Sequence, residues 1–243
     1  MTKLGMDYPT KWGRGYSARY ARRVIHSVMI PYSRYLSTLE VRGVEHVGGE
    51  RPFIFVANHA SHVDTILLLS AIPAKERERT VVAAAVDSFF MDRRNAFKTV
   101  ILFNAIPVDR LKVNRRSAQL ALELVEDDWN LVIYPEGGRT PDGHLQEFKG
   151  GAAYLAERSK ATVIPTYIHE SGMLKARKYA KAPIYIDAPY ERRHHVIIAF
   201  AEPLRCEVGE NMRHFGVRIE QAVEALGREV SGDPNYGRQL DDD

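Results

Sequence analysis

The sequence predicts a single α/β domain: a mixed, mostly parallel central sheet flanked by helices, with amphipathic helices added at the N-terminus. Three observations carry this expectation. Short, β-prone apolar runs recur at residues 53–57, 80–86, 131–134 and 163–168, and each reads as a buried strand. Helical patterns separate these runs, and strands alternating with helices build parallel or mixed sheets. The chain has 243 residues, 45% of them hydrophobic, enough for the core of one sizeable domain or two small ones.

Residues 11–39 read as helix. Tyr16, Tyr20, Val24, Val28, Tyr32, Leu36 and Leu39 recur at about every fourth position and form one stripe. Pro31 is expected to divide this helix into two pieces, because proline lacks the N–H that the ladder needs. Lys11, Arg14, Arg19, Arg22, Arg23 and Arg34 lie between Tyr8 and Leu39 with no acid among them. A basic, Tyr-rich amphipathic helix can lie in the headgroup layer of an anionic membrane. The plainer alternative is a helix packed on the core with a solvated basic face.

Residues 40–49 are expected to form a short strand and turn ending at Gly48-Gly49. The strand at 53–57 follows Pro52, and a helix runs from Ser61 to about Ile72. Ser61 is a plausible N-cap, with Asp64 where a capping-box acid belongs. A charged connection at 73–79 leads to the strand at 80–86 and a helix at 88–99. Residues 104–108 read as a third strand ending at Asp109-Arg110, and 115–127 as a helix. Pro135 ends the strand at 131–134, a Gly-rich polar loop spans 136–148, and a helix spans 151–158. After the strand at 163–168, residues 172–181 carry Lys175, Arg177, Lys178 and Lys181 and read as a surface helix or loop. Late strands are expected at 184–187 and 196–201, and a final amphipathic helix at 212–230. The organisation is therefore 1–39 (membrane-associating helices), 40–230 (the α/β domain) and 231–243 (a polar, disordered tail).

A formal charge of +3 does not argue for nucleic acid as a partner. Cys206 is the only cysteine, which excludes an intramolecular disulfide and a cysteine-based metal site and fits a reducing compartment. The first residues lack the apolar core of a signal peptide. No apolar run approaches the roughly 20 residues of a membrane-spanning helix, so any membrane contact is expected to be peripheral.

The chemistry gathers around Asn58-His59-Ala60-Ser61-His62-Val63-Asp64. His59 is expected where a strand ends and a helix begins, the crevice in which open α/β sheets bind ligands. Asp64, in the first helical turn, could hold one ring nitrogen of His59 and leave the other free as a base. The spacing alone admits another reading, in which Asp64 only caps the helix and His59 is a buried strand-end histidine. Later strand ends repeat the theme. One presents Arg110; another presents Glu136, Gly137, Gly138 and Arg139. Guanidinium groups suit phosphate or carboxylate oxygens, and glycines let backbone N–H groups approach an anion.

Four blocks in order resemble the PlsC-like glycerolipid acyltransferase family, the 1-acylglycerol-3-phosphate acyltransferase type. They are Asn58-His59-x4-Asp64, Ile106-Pro107-Val108-Asp109-Arg110, Tyr134-Pro135-Glu136-Gly137-Gly138-Arg139-Thr140 and Val163-Ile164-Pro165-Thr166-Tyr167-Ile168. Phe148-Lys149-Gly150-Gly151 also resembles the segment after the third block. The resemblance implies transfer of an acyl group from an acyl thioester (acyl-CoA or acyl-ACP) to a hydroxyl of a glycerol-phosphate acceptor, in phospholipid synthesis. His59 would be the base and Asp64 its orienting acid. Arg110 and Arg139 would hold the acceptor's phosphate. Glu136 would position an acceptor hydroxyl or brace the loop, Gly137 would supply a tight turn, and Lys149 would contact anionic parts of a substrate. No cofactor and no metal are implied. The implied partners are membrane lipids, the thioester donor and a lysophospholipid or glycerol-phosphate acceptor, at the cytoplasmic side of the cell membrane.

Two departures bear on the acceptor. Many family members that form phosphatidic acid carry a Lys after the second strand. Here that region reads Ala83-Ala84-Ala85-Val86-Asp87, with an acid that would repel phosphate. Gly138 replaces the usual Thr of the third block. Acylation of another lysolipid or a glycolipid, thioester hydrolysis, and non-catalytic lipid binding are the competing readings.

Overall fold

The computed structural model describes residues 5–61, 63–110, 115–139, 145–169, 194–234 and 236–237, apart from the side chains of Met6, Leu36 and His194. Its strands are β1 (Ser37–Arg42), β2 (Phe53–Ala57), β3 (Thr80–Ala85), β4 (Ala105–Val108), β5 (Asn130–Ile133), β6 (Thr162–His169) and β7 (His194–Phe200). Its helices are α1 (Tyr16–Leu36), α2 (Asp64–Ala71), α3 (Ala74–Arg77), α4 (Val86–Phe89), α5 (Arg93–Phe103), α6 (Arg115–Glu126), α7 (Gly151–Ser159) and α8 (Met212–Ser231). The strands form one sheet in the order β1-β7-β6-β2-β5-β3-β4. Every neighbouring pair is parallel except β6 and β7.

Both faces of the sheet are covered, which is why its central strands read as continuous apolar runs. Phe53 and Phe55 face one way, onto Leu67 and Leu68 of α2 and onto Ile72. Ile54 and Val56 face the other way, onto Val125 of α6, Leu155 of α7 and Phe215 and Ile219 of α8. Each such side chain, fully buried, contributes about 1.5–3 kcal/mol. At the starting edge of the sheet, Asn130 accepts from the Phe53 N–H at 2.9 Å, joining β5 to β2. The register then pairs Val56 with Ile133, one residue from the end of each strand's apolar run.

Several boundaries differ from the sequence reading. α1 runs unbroken through Pro31. The bond lost there is to the carbonyl of Ser27; both residues are exposed, so water can take the freed acceptor. β1 begins at Ser37, directly where α1 ends, rather than at residue 40. α2 begins at Asp64 rather than Ser61, because the Asp64 carboxylate folds back on the chain before it. The expected helix at 88–99 is two helices, separated where Asp92 caps α5 by accepting from Asn95 N–H. Residues 172–181 and 184–187 lie outside the described residues. In the expected tail, Tyr236 packs edge-on against Tyr167 at 5.1 Å.

The largest surprise is the orientation of α1. Its inward face carries Ala18, Arg22 and His26, while Tyr16, Tyr20, Val24, Val28, Tyr32 and Tyr35 stay exposed. The C-terminal end of α5 decides this. Arg22 donates to the carbonyls of Val100 (2.8 Å) and Ile101 (3.0 Å), and His26 Nε2 lies 2.8 Å from the carbonyl of Leu102. The last carbonyls of a helix have no partner within it, and cations there complement the helix dipole. Arg34 does the same for α2, donating to Ser70 O at 2.8 Å. Among the described residues, no helix is long and apolar enough to cross a membrane.

Candidate active site

The C-terminal ends of β6, β2, β5, β3 and β4 lie along one edge, since these neighbours are all parallel. β2 delivers Asn58 and His59 to that edge. Asn58 is buried and locked to β6 in both directions. Its amide donates to Ile168 O at 3.0 Å and accepts from Ile168 N–H at 2.7 Å. His59 Nδ1 lies 2.8 Å from Asp64 Oδ2, and that oxygen also accepts the N–H groups of Ala60 (2.8 Å) and Ser61 (2.9 Å). An oxygen already taking two backbone protons acts as an acceptor, so Nδ1 carries the ring proton and Nε2 keeps its lone pair. Asp64 is fully buried at the N-terminus of α2, where the helix dipole favours a carboxylate. The His59 side chain remains 19% exposed, so its ring is reachable.

Tyr134, the first residue after β5, stacks on the His59 ring at 4.2 Å and 21°. Its hydroxyl meets Thr65 Oγ1 at 3.1 Å. Burial, assisted by the Asp64 charge, raises the Tyr134 pKa, so the phenol stays neutral. Glu136 is buried and ties two blocks together. One carboxylate oxygen accepts from His59 N–H at 2.8 Å, the other from Gln146 N–H at 3.1 Å. It is a brace for the backbone of His59 and for the far end of the loop.

Gly137 closes the turn, donating to Tyr134 O at 3.2 Å. Its φ of +71° suits glycine, and a Cβ there would collide with Lys149 Nζ. Lys149 lies across this turn and donates to the carbonyl of Arg110 at 2.7 Å, linking the β5 loop to the end of β4. The Arg110 guanidinium itself is engaged by Asp87, which follows β3: Nε and Nη2 donate to Asp87 Oδ2 at 2.9 and 2.7 Å. Arg139 is exposed on the loop two residues beyond Gly137. Thus His59, Asp64 and Glu136 form one hydrogen-bonded unit, Tyr134 stacks on it and bonds Gly137 through its carbonyl, and Lys149 joins Arg110 to the rim. Among the described residues, no three His, Cys, Asp or Glu side chains converge as a metal site would require.

The acyltransferase family model matches residues 38–169, more than half of the sequence. The chain belongs to that family. The matched stretch begins in β1 and ends with β6, so it contains all four sequence blocks and leaves out α1, β7 and α8. Among the relatives, 1-acyl-sn-glycerol-3-phosphate acyltransferase alpha of Mus musculus is 25% identical over 186 residues, covering 74% of this chain and 57% of its own. The beta form of Homo sapiens is 30% identical over 129 residues, covering 52% and 44%. A probable 1-acyl-sn-glycerol-3-phosphate acyltransferase of Mycoplasma pneumoniae is 25% identical over 146 residues, covering 58% and 54%. The chain spans about half the length of the curated relatives it matches. The crystal structure of the 1-acyl-sn-glycerophosphate (LPA) acyltransferase PlsC from Thermotoga maritima superposes with a TM-score of 0.58 at 21% identity, over 90% of this chain and 83% of that one. That likeness establishes a shared fold: a single α/β domain on a mostly parallel sheet.

Three side chains around His59 make contacts that the sequence reading did not anticipate. Asn58 stands in the first block, but its clamp on Ile168 joins residues 110 apart and left no local signal. Tyr134 and Thr65 meet across 69 residues. The signal for Tyr134 was an aromatic at a strand end, heading the third block; nothing in the sequence told that it would face His59.

Proposed function

We propose that the protein transfers a fatty acyl group from an acyl thioester, acyl-CoA or acyl-ACP, to a hydroxyl of a glycerol-phosphate acceptor. The acceptor would be 1-acylglycerol 3-phosphate or glycerol 3-phosphate, and the reaction a step of phospholipid synthesis. The observation that carries this reading is the His59–Asp64 pair, with Nδ1 held at 2.8 Å and Nε2 left as a base. Nε2 takes the proton of the acceptor hydroxyl as its oxygen attacks the thioester carbonyl. The tetrahedral adduct collapses, the C–S bond breaks, and the imidazolium returns its proton to the departing sulfur. Asp64 stabilises the imidazolium in between, as the acid does in a serine-protease triad. No enzyme nucleophile is acylated. Arg139 and Lys149 supply cations for the acceptor's phosphate, and Arg110 joins them when the phosphate competes with Asp87.

A second acceptor reading has its own support. The Asp87–Arg110 pair lowers the positive charge of the rim, which favours a lysolipid or glycolipid hydroxyl without a phosphate monoester. Membrane association at the cytoplasmic face, through residues 1–39, is the matching proposal for location. Its support is the apolar stripe of α1, with Tyr16 87% and Val28 68% exposed, on a helix that carries arginines and no acid.

The test is to incubate purified protein with labelled palmitoyl-CoA and a panel of acceptors, and to identify the product by mass. His59→Ala should abolish transfer while the melting curve stays cooperative. Near wild-type transfer by that variant would overturn the mechanism, and thioester cleavage indifferent to every acceptor would mark a hydrolase.

A further inference from the structure

Four guanidinium groups line a cleft beside α1 that the catalytic residues do not touch. The cleft encloses about 290 Å3, and Arg19, Arg22, Arg23 and Arg77 meet a single carboxylate there, Glu78. Arg77 also donates to Leu69 O and Ile72 O, which fixes the cleft at the C-terminal end of α2. Asp64 is at the other end of that helix, about 12 Å away for eight residues at 1.5 Å each. The cleft is therefore remote from the catalytic pair.

We propose that this cleft binds the phosphate group of an anionic phospholipid headgroup. The proposal rests on the reading of α1 as a membrane-seating helix. Arg22 spends Nε and Nη2 on backbone carbonyls, and Arg77 spends Nη1, so each keeps other N–H groups out of those bonds. Arg23 is held to Glu78 at 2.5 Å, but the Arg23 side chain is 57% exposed and that of Glu78 35%, and such a pair exchanges readily. The cations also crowd one another. Burial chiefly, then Arg14 and Arg19, brings the Arg22 pKa down to about 10. His26, in the same cleft, is lowered by burial and then, against its bond to Leu102, by Arg77 and Arg22. A bound anion offsets that repulsion. The occupant is a lipid because Ile30 and Pro31 form an apolar lip to the cleft, on the helix that exposes Tyr20, Val24 and Val28. A phosphate in the cleft and apolar side chains in the adjacent interface match the two levels of a bilayer surface.

The test uses the full chain and three variants. Flotation is measured with vesicles of phosphatidylcholine alone and of phosphatidylcholine with phosphatidylglycerol. Melting is measured in inorganic phosphate against chloride at equal ionic strength. Arg19→Gln/Arg23→Gln should lower the preference for phosphatidylglycerol vesicles roughly 25-fold, about fivefold for each cation, and abolish the stabilisation by phosphate. Arg93→Gln/Arg94→Gln removes the same charge from the exposed start of α5 and should change both readings little. Tyr20→Ser/Val24→Ser should lose both vesicle types and keep the phosphate stabilisation, so failure of the membrane seat is read separately. Equal losses from the two arginine pairs would reduce the effect to diffuse surface charge and overturn the site. Phosphate stabilisation with an unchanged vesicle preference would assign the cleft to free phosphate and overturn the lipid.

Discussion

Replacing Asp64 by Asn tests the core of the mechanism with almost no change of shape. In the native protein one oxygen takes three N–H groups: His59 Nδ1, Ala60 N and Ser61 N. The amide of Asp64→Asn can keep all three donors on its oxygen, because its NH2 then takes the place of Oδ1, which has no hydrogen-bond partner in the native protein. The ring keeps its tautomer and loses the negative charge that faces it. An imidazolium formed at His59 then lacks an opposite charge about 4 Å away, worth about 4 kcal/mol at an effective dielectric of about 20, or about 10³ in kcat. Stability falls less. The two backbone bonds become neutral ones, at about 1 kcal/mol each, and the dipole of α2 loses its counter-charge, at about 0.5 kcal/mol. A protein with about 5–15 kcal/mol of stability remains folded. The assay is single-turnover acyl transfer from labelled palmitoyl-CoA beside a thermal melt. Folded Asp64→Asn protein with kcat within about tenfold of wild type would refute the role given to the Asp64 charge.

Other outcomes follow from the same geometry. Tyr134→Phe keeps the stack on His59 and loses only the bond to Thr65, so kcat should stay within a few-fold; Tyr134→Ala should lose about 3–5 kcal/mol of stability, read from denaturant melts, and much of the activity. Serine at Val24 and Val28 should release the protein from anionic vesicles in flotation while leaving its melting temperature nearly unchanged, since both side chains are exposed. The folded pKa of His26 lies below 6.5, so the native state binds fewer protons than the unfolded chain as pH falls through that value. Stability should therefore drop between pH 6.5 and the lower folded pKa, and His26→Gln should flatten that part of the stability–pH curve.

The sequence exposed most of what lies along one strand or one turn. Phe53–Ala57 reads as buried because every residue in it is buried, and the turn after β5 announces itself through Pro135 and Gly137. Contacts made at long range stayed silent. The tyrosine stripe of α1 has a clear period, yet the helix turns its arginine and histidine inward, because the unpaired carbonyls of α5 sit about 78 residues further along the chain. The period gives the faces of a helix; the partner decides which one is inside. Glu136 belongs to the same class. Its role as a brace depends on the His59 N–H, which arrives from another strand.

The passage from α1 into β1 carries a mechanical consequence. Ser37 ends the helix, its hydroxyl donating to Ser33 O at 2.8 Å, and it is also the first strand residue, paired with β7. No linker intervenes, and Arg22 and Arg34 fasten the helix flank at two further points. A joint without slack cannot swivel. Whatever surface α1 comes to rest on also sets the heading of the whole sheet, and with it the side from which the His59 ring is open.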